Sequence, residues 1–385
     1  MGAQRIAVFS AQYLPNIGGV EKYTDNLARE LARSGYDVTI VTSNAHGLAG
    51  HEELSPQVEV VRLPCFPLIG GRMPVPRKNG EFERLWNVVE SRDYCGVLVN
   101  TRFYLHSLWG LKLAKRKRLR AVVCEHGSAY LTFGNALLDK AVVAYEHLMT
   151  SRVKRYDPDF YAVSSKGVEW LRTFGIEGRG VLSNAIDAQM FRSSASDRAF
   201  RAEFGIADDA LLVSFVGRFI PEKGVDALID AMALLEQRGV NAVVLMAGGG
   251  PLEERIARAE ARNIVVVGRL DAPDVAALMV QSDVFCLPTR SEGFSTSLLE
   301  ASATSTPAII TDVGGVAEMI PDASFGTVLP DAQPATIADA IEHAACHREE
   351  LACQGQRCFE RVSEHFSWAC TAQAVVEACK RAQQR

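Results

Sequence analysis

Short apolar segments that alternate with amphipathic helical segments constrain the fold of this 385-residue chain more than any other feature. The segment RIAVFS (5–10) has the composition of a buried strand, VEKYTDNLARELARSG (20–35) has apolar residues at helical spacing, and DVTIVTS (37–43) is a second strand. A strand, a helix and a strand in this order predict a parallel βαβ unit. Further strands are predicted at 95–100, 120–126, 159–164, 211–218, 241–248, 263–268, 283–288 and 307–312.

The alternation restarts near residue 211, which predicts two α/β domains rather than one. We expect an N-terminal domain over residues 1–185, a C-terminal domain over 186–365, and a terminal helix over 366–385 that crosses back to the first domain. Both domains are predicted to be Rossmann-like, doubly wound sheets that face a central cleft. Such sheets bind ligands at the carboxyl ends of their strands, so we expect the ligand in the cleft.

The composition excludes several classes of protein. Hydrophobic residues make up 48% of the chain and charged residues 23%, as in soluble globular proteins. No stretch resembles a membrane-spanning helix, and the N-terminus lacks the pattern of a signal peptide. The nine cysteines form no C-x-x-C pair, which favours reduced thiols and a cytoplasmic location over disulfides or a zinc site.

Positive charge is concentrated in the first half of the chain. Residues 1–190 hold 24 Lys and Arg against 19 Asp and Glu, whereas residues 191–385 hold 17 against 27. The cations are densest in LKLAKRKRLR (111–120) and RVKRY (152–156). Two interpretations stay open: a solvated helix end, or peripheral contact with an anionic membrane at the inner face of the cell membrane. We expect no nucleic-acid partner.

Glycines and cations follow two predicted strands where an anion could bind. Gly18 and Gly19 precede a helix whose first N–H groups are unpaired, although a tight turn is the alternative explanation. Gly217 lies near the end of the strand 211–218, and Arg218 and Lys223 come next. These two cations could both face a diphosphate, or they could be solvated loop charges.

A histidine ends another predicted strand of the first domain, in the segment CEHGSAY (124–130). His126 could orient a hydroxyl group or a sugar oxygen there. A structural role is the alternative, because a lone histidine is more often structural.

Two acids lie eight positions apart in RSEGFSTSLLEA (290–301). In a continuous helix Glu292 and Glu300 would be about 12 Å apart along the axis, further than the paired carboxylates of a glycosidase. The two acids therefore have different roles. Ser297 and Glu300 have the spacing of a capping box, so helix capping is one interpretation of Glu300. Glu292 would then lie in the preceding loop.

Together these segments resemble the retaining GT-B glycosyltransferases of family 4 (glycosyl transferases group 1) over nearly the whole chain. The order and spacing of the segments make the resemblance specific. The segments that carry it include IGGVEKY (17–23), EHG (125–127), GRFIPEKG (217–224), MAGGGP (246–251) and SEGFSTSLLEASATSTPAIITDVGGVAEMI (291–320), the last with the E-x₇-E signature. The chain departs from the family pattern at Ala185, at Gly249 and over residues 303–305.

The resemblance implies roles for the acids and the loop between them. Glu292 would contact the donor sugar. Backbone N–H groups around Gly293, Phe294 and Ser295 would hold the sugar or the diphosphate. Glu300 would bind the ribose hydroxyls of the nucleotide.

The resemblance also implies how the diphosphate is held. Arg218 and Lys223 would neutralise the leaving diphosphate, with Gly217 beside them. Gly18 and Gly19 would approach it from the first domain. No metal and no other cofactor is implied, because side-chain cations and a helix N-terminus would stabilise the leaving group.

The remaining implied contacts concern the sugar and the base. His126 would contact the donor sugar, and the backbone at Arg269 and Leu270 would face the nucleotide base. The implied activity is metal-independent, retaining transfer of a hexose-type sugar from a UDP- or GDP-sugar to a glycan or lipid-linked acceptor. Synthesis of cell-surface polysaccharide or glycolipid is the expected context.

Other functions fit the sequence less well. A non-hydrolysing UDP-sugar epimerase on the same fold is the alternative enzyme, but the E-x₇-E signature with the Arg-Lys pair argues against it. A catalytically silent binding protein would not need Glu292, Arg218 and Lys223 together. A dehydrogenase would need a G-x-G-x-x-G motif after the first strand, which is not present.

Overall fold

A computed structural model of the protein describes residues 4–16, 18–132, 136–259 and 261–384. The chain forms two compact units. Met1–Asn184 and Trp368–Arg385 form the first unit, and Ala185–Ser367 forms the second. Each unit is a largely parallel sheet with helices in the crossover connections, so the predicted α/β, doubly wound fold class is confirmed.

The strands of the first unit are β1 (Arg5–Ser10), β2 (Asp37–Asn44), β3 (His51–Ser55), β4 (Val58–Leu68), β5 (Met73–Pro76), β6 (Gly96–Asn100), β7 (Val122–Glu125) and β8 (Asp159–Ala162). Those of the second unit are β9 (Leu211–Arg218), β10 (Ala242–Gly249), β11 (Ile264–Gly268), β12 (Val284–Leu287), β13 (Ala308–Thr311) and β14 (Gly326–Leu329). Every strand predicted from the alternation is present, with each end within two residues of the prediction.

The α-helices follow in chain order. They are α1 (Gly19–Arg33), α2 (Gly80–Ser91), α3 (Ser107–Arg116), α4 (Ala136–Lys154), α5 (Ser165–Leu171), α6 (Ala188–Ser193), α7 (Phe200–Glu203), α8 (Val225–Gln237), α9 (Glu253–Ala257), α10 (Ala272–Gln281), α11 (Thr296–Ala303), α12 (Val316–Met319), α13 (Pro334–Cys346), α14 (Arg348–His365) and α15 (Trp368–Gln383). Short 3₁₀ turns cover Arg172–Phe174, Pro221–Lys223 and Ala323–Phe325. Within the described residues, no helix is both long enough and apolar enough to cross a membrane.

The sheet of the first unit has the order β3-β4-β2-β1-β6-β7-β8, with β5 paired to the end of β4. The strands from β4 to β8 along this order are parallel, whereas β3 and β5 run antiparallel to β4. The alternation predicted no element over 51–76, where β3, β4 and β5 lie. Four of the five residues of β3 are exposed, so this edge strand lacks the apolar pattern that marks a buried one.

The sheet of the second unit is entirely parallel, in the order β11-β10-β9-β12-β13-β14. The chain moves outward from β9 through β10 to β11 and then returns to the other side of β9 at β12. This reversal creates a topological switch point between the carboxyl ends of β9 and β12. The first sheet has an equivalent reversal between β1 and β6.

The chain crosses between the two units twice. It enters the second unit between Asn184 and Ala185 and leaves between Ser367 and Trp368. The Ile186 N–H donates to the Phe366 carbonyl at 2.9 Å, which joins the two ends of the second unit. The terminal helix α15 packs on α1 and β6 of the first unit.

Candidate active site

The switch point of the second sheet brings two groups of predicted residues together. β9 and β12 are hydrogen-bonded neighbours, and doubly wound sheets bind ligands at the carboxyl ends of such strands. Gly217 and Arg218 end β9, and Lys223 follows in the next turn. The loop between β12 and α11 contains residues 292–295. The predicted diphosphate-binding and sugar-binding residues of this unit therefore meet at one place.

Lys223 and Glu292 form an ion pair at this place. The Lys223 Nζ donates a hydrogen bond to the Glu292 carboxylate. The two side chains are only 16% and 15% exposed, so water screens the pair less than it screens a surface pair. The strand order thus joins a cation and an acid that are 69 positions apart in the chain.

Backbone contacts hold the two loops against each other. The Glu222 carbonyl accepts hydrogen bonds from the Thr289 hydroxyl at 2.9 Å and from the Arg290 N–H at 2.7 Å. Gly224, the residue after the lysine, has φ 71°, and a Cβ there would collide with the Pro288 carbonyl. Glycine is therefore required for the turn after β9 to approach the end of β12.

Helix α11 begins directly after the loop that carries Glu292. The Ser295 hydroxyl accepts a hydrogen bond from the Leu298 N–H at 3.2 Å, so Ser295 is the N-cap. The predicted capping box of Ser297 and Glu300 is wrong. Ser297 is the second helical residue and Glu300 the fifth, because the cap lies two residues earlier than that spacing implied. The positive end of the α11 dipole therefore lies at the loop that contains Glu292.

Two glycines after β13 shape the same loop. Gly314 has φ 54°, and a Cβ on it would lie 2.7 Å from the carbonyl oxygens of Glu292 and Gly293. A Cβ on Gly315 would collide with the buried ring of Phe294. Sequence reasoning assigned no role to this glycine pair. The signal was present, because the pair lies between a strand and a helix like the other glycine turns.

The end of β9 also pairs with the glycine-rich end of β10. Gly217 lies opposite Gly248, and Arg218 lies opposite Gly249. The Arg218 side chain is exposed and makes no hydrogen bond or ion pair with any residue that the structure describes. Its guanidinium is therefore a cation at the carboxyl edge of the sheet that can bind an anionic group.

The predicted base-facing residues follow β11. Gly268 has φ 76°, and the chain then continues through Arg269 and Leu270 towards α10. Leu270 packs its side chain against a core cluster of the second unit, whereas Arg269 is exposed. A Cβ on Gly249 would lie 3.0 Å from the Arg269 Nε, so the glycine leaves room for this side chain. Arg269 therefore lies beside the residue that pairs with Arg218.

Gly18 and Gly19 form the start of α1 in the first unit. Gly18 is the N-cap with an extended backbone, and no side chain of the described residues caps the helix. The buried carboxyl of Glu21 lies where a Cβ on Gly18 would be, and burial raises the pKa of Glu21. A Cβ on Gly19 would meet nothing within 4 Å. The helix start is thus open at Gly19 and covered by an acid at Gly18, which sequence reasoning did not foresee.

His126 follows β7 in the same unit. Its Nε2 lies 3.1 Å from the Asn100 Oδ1 at the end of β6, and the Tyr23 ring of α1 meets the imidazole edge to face at 4.7 Å. Burial lowers the pKa of His126 to about 3, so the imidazole is neutral at pH 7. A neutral imidazole can donate a hydrogen bond to a hydroxyl group or accept one from it, but it cannot neutralise the charge of a phosphate.

A buried ionic network fixes the loop that carries His126. Arg102 donates to Glu125 and, at 2.8 Å, to Glu146, and all three side chains are 1% exposed. The second carboxylate oxygen of Glu125 accepts the N–H groups of His126 at 3.1 Å and Gly127 at 3.2 Å. Arg102 and Glu146 were not foreseen, because isolated charges in helical and loop segments carry no sign of burial.

Comparisons with known proteins identify the family of this chain. The model for Glycosyltransferase Family 4 matches residues 17–189, and the model for Glycosyl transferases group 1 matches residues 196–355. A D-inositol 3-phosphate glycosyltransferase from Nocardia farcinica is 27% identical over 410 aligned residues, which cover 97% of this chain and 88% of that protein. A GDP-mannose-dependent alpha-(1-6)-phosphatidylinositol dimannoside mannosyltransferase from Mycobacterium tuberculosis is 26% identical over 371 residues, with 94% and 93% covered.

A solved structure shows the same fold. Anabaena Alr3699/HepE in complex with UDP superposes with a TM-score of 0.72 at 18% identity, and the match covers 98% of this chain and 100% of that one. The two family models match consecutive parts of the chain and together span most of its length. The chain therefore belongs to the group 1 glycosyltransferases of family 4, enzymes that transfer sugars from nucleotide-sugar donors.

Proposed function

We propose that this glycosyltransferase moves a hexose-type sugar from a UDP- or GDP-sugar to a glycan or lipid-linked acceptor, without a metal and with retention of the anomeric configuration. Cell-surface polysaccharide or glycolipid synthesis is the proposed context. The relative that is named as GDP-mannose-dependent, and as acting on a phosphatidylinositol dimannoside, supports such a donor and such an acceptor. The observation that carries the proposal is the contact between Lys223 and Glu292 at the switch point.

The contact matches what a nucleotide-sugar requires. The bond that breaks joins the anomeric carbon of the sugar to an oxygen of the diphosphate. A residue for the diphosphate and a residue for the sugar must therefore lie side by side. Lys223 and Glu292 do so, with the N-terminus of α11 adjacent to the acid. We assign Lys223 to the diphosphate and Glu292 to the sugar.

The proposed chemistry needs positive charge at the leaving group. The acceptor hydroxyl oxygen forms a bond to the anomeric carbon, and the bond to the diphosphate breaks with its electron pair on the phosphate oxygen. The acceptor proton passes to that phosphate. Negative charge grows on the diphosphate, so Arg218, Lys223 and the α11 dipole stabilise the transition state more than the bound substrate.

A UDP-sugar epimerase is the second candidate that the sequence left open. An epimerase changes its sugar without an acceptor hydroxyl, whereas a transferase releases a nucleoside diphosphate only when an acceptor or water is glycosylated. Membership of the glycosyltransferase family supports the transferase.

A thermal-shift panel tests the proposed donor. The protein is heated with UDP, GDP and ADP and with their glucose, mannose and N-acetylglucosamine conjugates. We expect one nucleotide series to raise the melting temperature, because a ligand that binds only the folded state stabilises it. Arg258→Ala serves as the control variant, since Arg258 forms an exposed pair with Glu254. A panel with no shift for any compound would contradict the proposal.

We also propose peripheral contact of the first unit with anionic membranes, through α4 rather than through the basic cluster 111–120. Three cations of that cluster are paired with acids: Arg116 with Glu90, Lys117 with Asp93, and Arg120 with Asp157. Their charge is therefore largely neutralised, which favours the solvated-helix interpretation for this segment.

Helix α4 offers a better membrane surface. Leu137 is 81% exposed and Leu148 is 52% exposed. They share one helical face with the exposed residues Ala141 and Ala144, since these positions follow the i, i+4, i+7, i+11 spacing. Exposed Lys140 lies next to this stripe. An apolar stripe with a neighbouring cation suits the interface of an anionic bilayer.

Sedimentation with vesicles tests this contact. The protein is mixed at low salt with vesicles of phosphatidylcholine and phosphatidylglycerol. We expect the wild-type protein to sediment with them and the double variant Leu137→Asp and Leu148→Asp to stay in solution. Met190→Asp, which changes an exposed residue of the second unit, should sediment like wild type. Wild-type protein that stays in solution would rule the contact out.

A further inference from the structure

A hydrogen-bond network buried in the first unit ends at His126. Thr24 in α1 and Asn100 at the end of β6 are both 0% exposed. Neither residue was singled out by the sequence, and neither is part of the proposed donor contacts. The direction of each hydrogen bond in the network is determined by the groups that form it.

The network starts at Thr24. Its hydroxyl lies 2.8 Å from the Val20 carbonyl, one turn earlier in α1. A carbonyl oxygen can only accept, so the Thr24 hydroxyl is the donor in this bond. Because the hydroxyl has one proton and donates it to this carbonyl, the Thr24 Oγ1 can only accept a hydrogen bond from the next group.

Asn100 is the next group. Its side-chain amide lies 2.9 Å from the Thr24 Oγ1. Since that oxygen accepts, the amide must present its NH₂ to it, and its Oδ1 must point the other way. The Oδ1 lies 3.1 Å from the His126 Nε2. An amide oxygen only accepts, so the His126 Nε2 carries the proton.

The other nitrogen of the imidazole is therefore unprotonated. Because burial keeps the ring neutral, a proton on Nε2 leaves Nδ1 with a lone pair. Nδ1 makes no hydrogen bond with the residues that the structure describes. An acceptor of this kind binds a hydroxyl group and repels a phosphate oxygen, which is itself an acceptor.

We propose that Thr24 and Asn100 are positioning residues, which hold His126 as its Nε2–H tautomer so that Nδ1 accepts a hydrogen bond from a sugar hydroxyl. The proton on Nε2 follows from the network, and the lone pair on Nδ1 follows from the neutral state of the buried ring. That the hydroxyl belongs to a sugar rests on the proposed function. The network thus assigns His126 to hydroxyl recognition, and it separates this residue from the groups that hold the diphosphate.

Nuclear magnetic resonance tests the tautomer without any ligand. The full chain is labelled with ¹⁵N-histidine, and His126 is assigned by comparison with His126→Gln. Long-range ¹H–¹⁵N correlations distinguish a protonated ring nitrogen from an unprotonated one. At pH 7 we expect a protonated Nε2 and an unprotonated Nδ1. A proton on Nδ1, or on both nitrogens, would overturn the proposal.

Variants of two buried threonines test the role of the network. Thr24→Val removes the hydroxyl that orients Asn100, so the amide can turn and donate to Nε2. We expect a fraction of His126 to change to the Nδ1–H tautomer and kcat to fall about tenfold, as for one lost hydrogen bond. Thr24→Ser should restore both. Thr42→Val is the matched control, because Thr42 in β2 is similarly buried and its hydroxyl has no hydrogen-bond partner among the described residues.

The outcomes separate this inference from the proposed function. If wild type has the Nε2–H tautomer but no nucleotide sugar binds, the positioning role stands and the proposed function fails. If sugar transfer occurs while Thr24→Val changes neither the tautomer nor kcat, the positioning role fails and the proposed function stands. A Thr24→Val protein that does not fold leaves the wild-type tautomer and Thr24→Ser as the tests.

Discussion

Lys223 donates a hydrogen bond to Glu292 across the carboxyl ends of β9 and β12. The proposed reaction places growing negative charge beside the lysine, so its removal should cost more in the transition state than in the ground state. We expect Lys223→Ala to lower kcat by about 10²- to 10³-fold, as when one preorganised donor is removed from an active site. Release of nucleoside diphosphate in a coupled assay measures the change. The Arg258→Ala variant should keep wild-type turnover, and an unchanged kcat in Lys223→Ala would remove the lysine from the site.

Metal chelation should leave the reaction rate unchanged. We assign the positive charge at the leaving diphosphate to Lys223, Arg218 and the N-terminus of α11, which need no divalent cation. The assay is run after dialysis against EDTA, then with Mg²⁺ or Mn²⁺ added back. A rate that collapses in EDTA and returns with either metal would contradict the expectation.

The order of the strands in each sheet could not be predicted from the sequence. Each strand that carries a site residue was predicted from its apolar run, because strands buried on both faces are continuously hydrophobic. The ion pair between Lys223 and Glu292 was not predicted. It depends on the pairing of β12 with β9, and no local sequence pattern predicts which strands are neighbours. The same holds for Asn100 and His126, which meet because β6 lies beside β7.

Two local errors have different physical causes. One interpretation of Glu300 made Ser297 the helix cap, although Ser295 has the extended backbone that a cap requires. Two serines two residues apart offer overlapping S-x-x patterns, and only the backbone angles separate them. The acid at the start of α1 was not foreseen, because Glu21 has an ordinary sequence position and its significance lies in its burial against Gly18.

Replacement of Ser305 by glycine should stabilise the second unit. Ser305 has φ 60°, a left-handed conformation that costs a residue with a Cβ roughly 1–2 kcal/mol. Glycine adopts it freely but loses more entropy on folding, so we expect a net gain of about 0.5–1 kcal/mol. Ser302→Gly is the opposite control, because Ser302 lies inside α11, where glycine should destabilise. Melting curves of both variants check the prediction, which fails if Ser305→Gly melts below wild type.

The ionic network under the His126 loop should be essential for stability. Arg102→Met would leave Glu125 and Glu146 buried without their cation, and breaking a buried pair costs about 3–5 kcal/mol. Arg116→Met, whose partner Glu90 is half-exposed, should change stability by less than about 1 kcal/mol. Urea unfolding followed by tryptophan fluorescence compares the two variants. Equal midpoints would show that the network is not a major source of stability.

The first unit should lose stability in mild acid because it buries two neutral histidines. Burial lowers the pKa of His106 to about 4 and that of His126 to about 3. His106 donates from Nε2 to the Val41 carbonyl at 2.9 Å, and its Nδ1 lies 3.2 Å from the Ser43 hydroxyl. Burial disfavours the charged form of both rings.

The direction of this pH dependence follows from proton uptake. Between pH 6.5 and about 4 the unfolded chain binds protons on these histidines and the folded chain does not, so stability falls as the pH is lowered. Above pH 6.5 the neutral His106 makes its full contribution to the free energy of unfolding. Roughly 3 kcal/mol of that contribution is lost as the pH falls from 6.5 to about 4. His106→Gln should therefore be less stable than wild type at pH 7.5. Its free energy of unfolding, measured in urea, should change less than that of wild type between pH 6.5 and pH 4.5. His343→Gln, which changes an exposed histidine of the second unit, should follow the wild-type curve, and a wild-type slope in His106→Gln would refute the assignment.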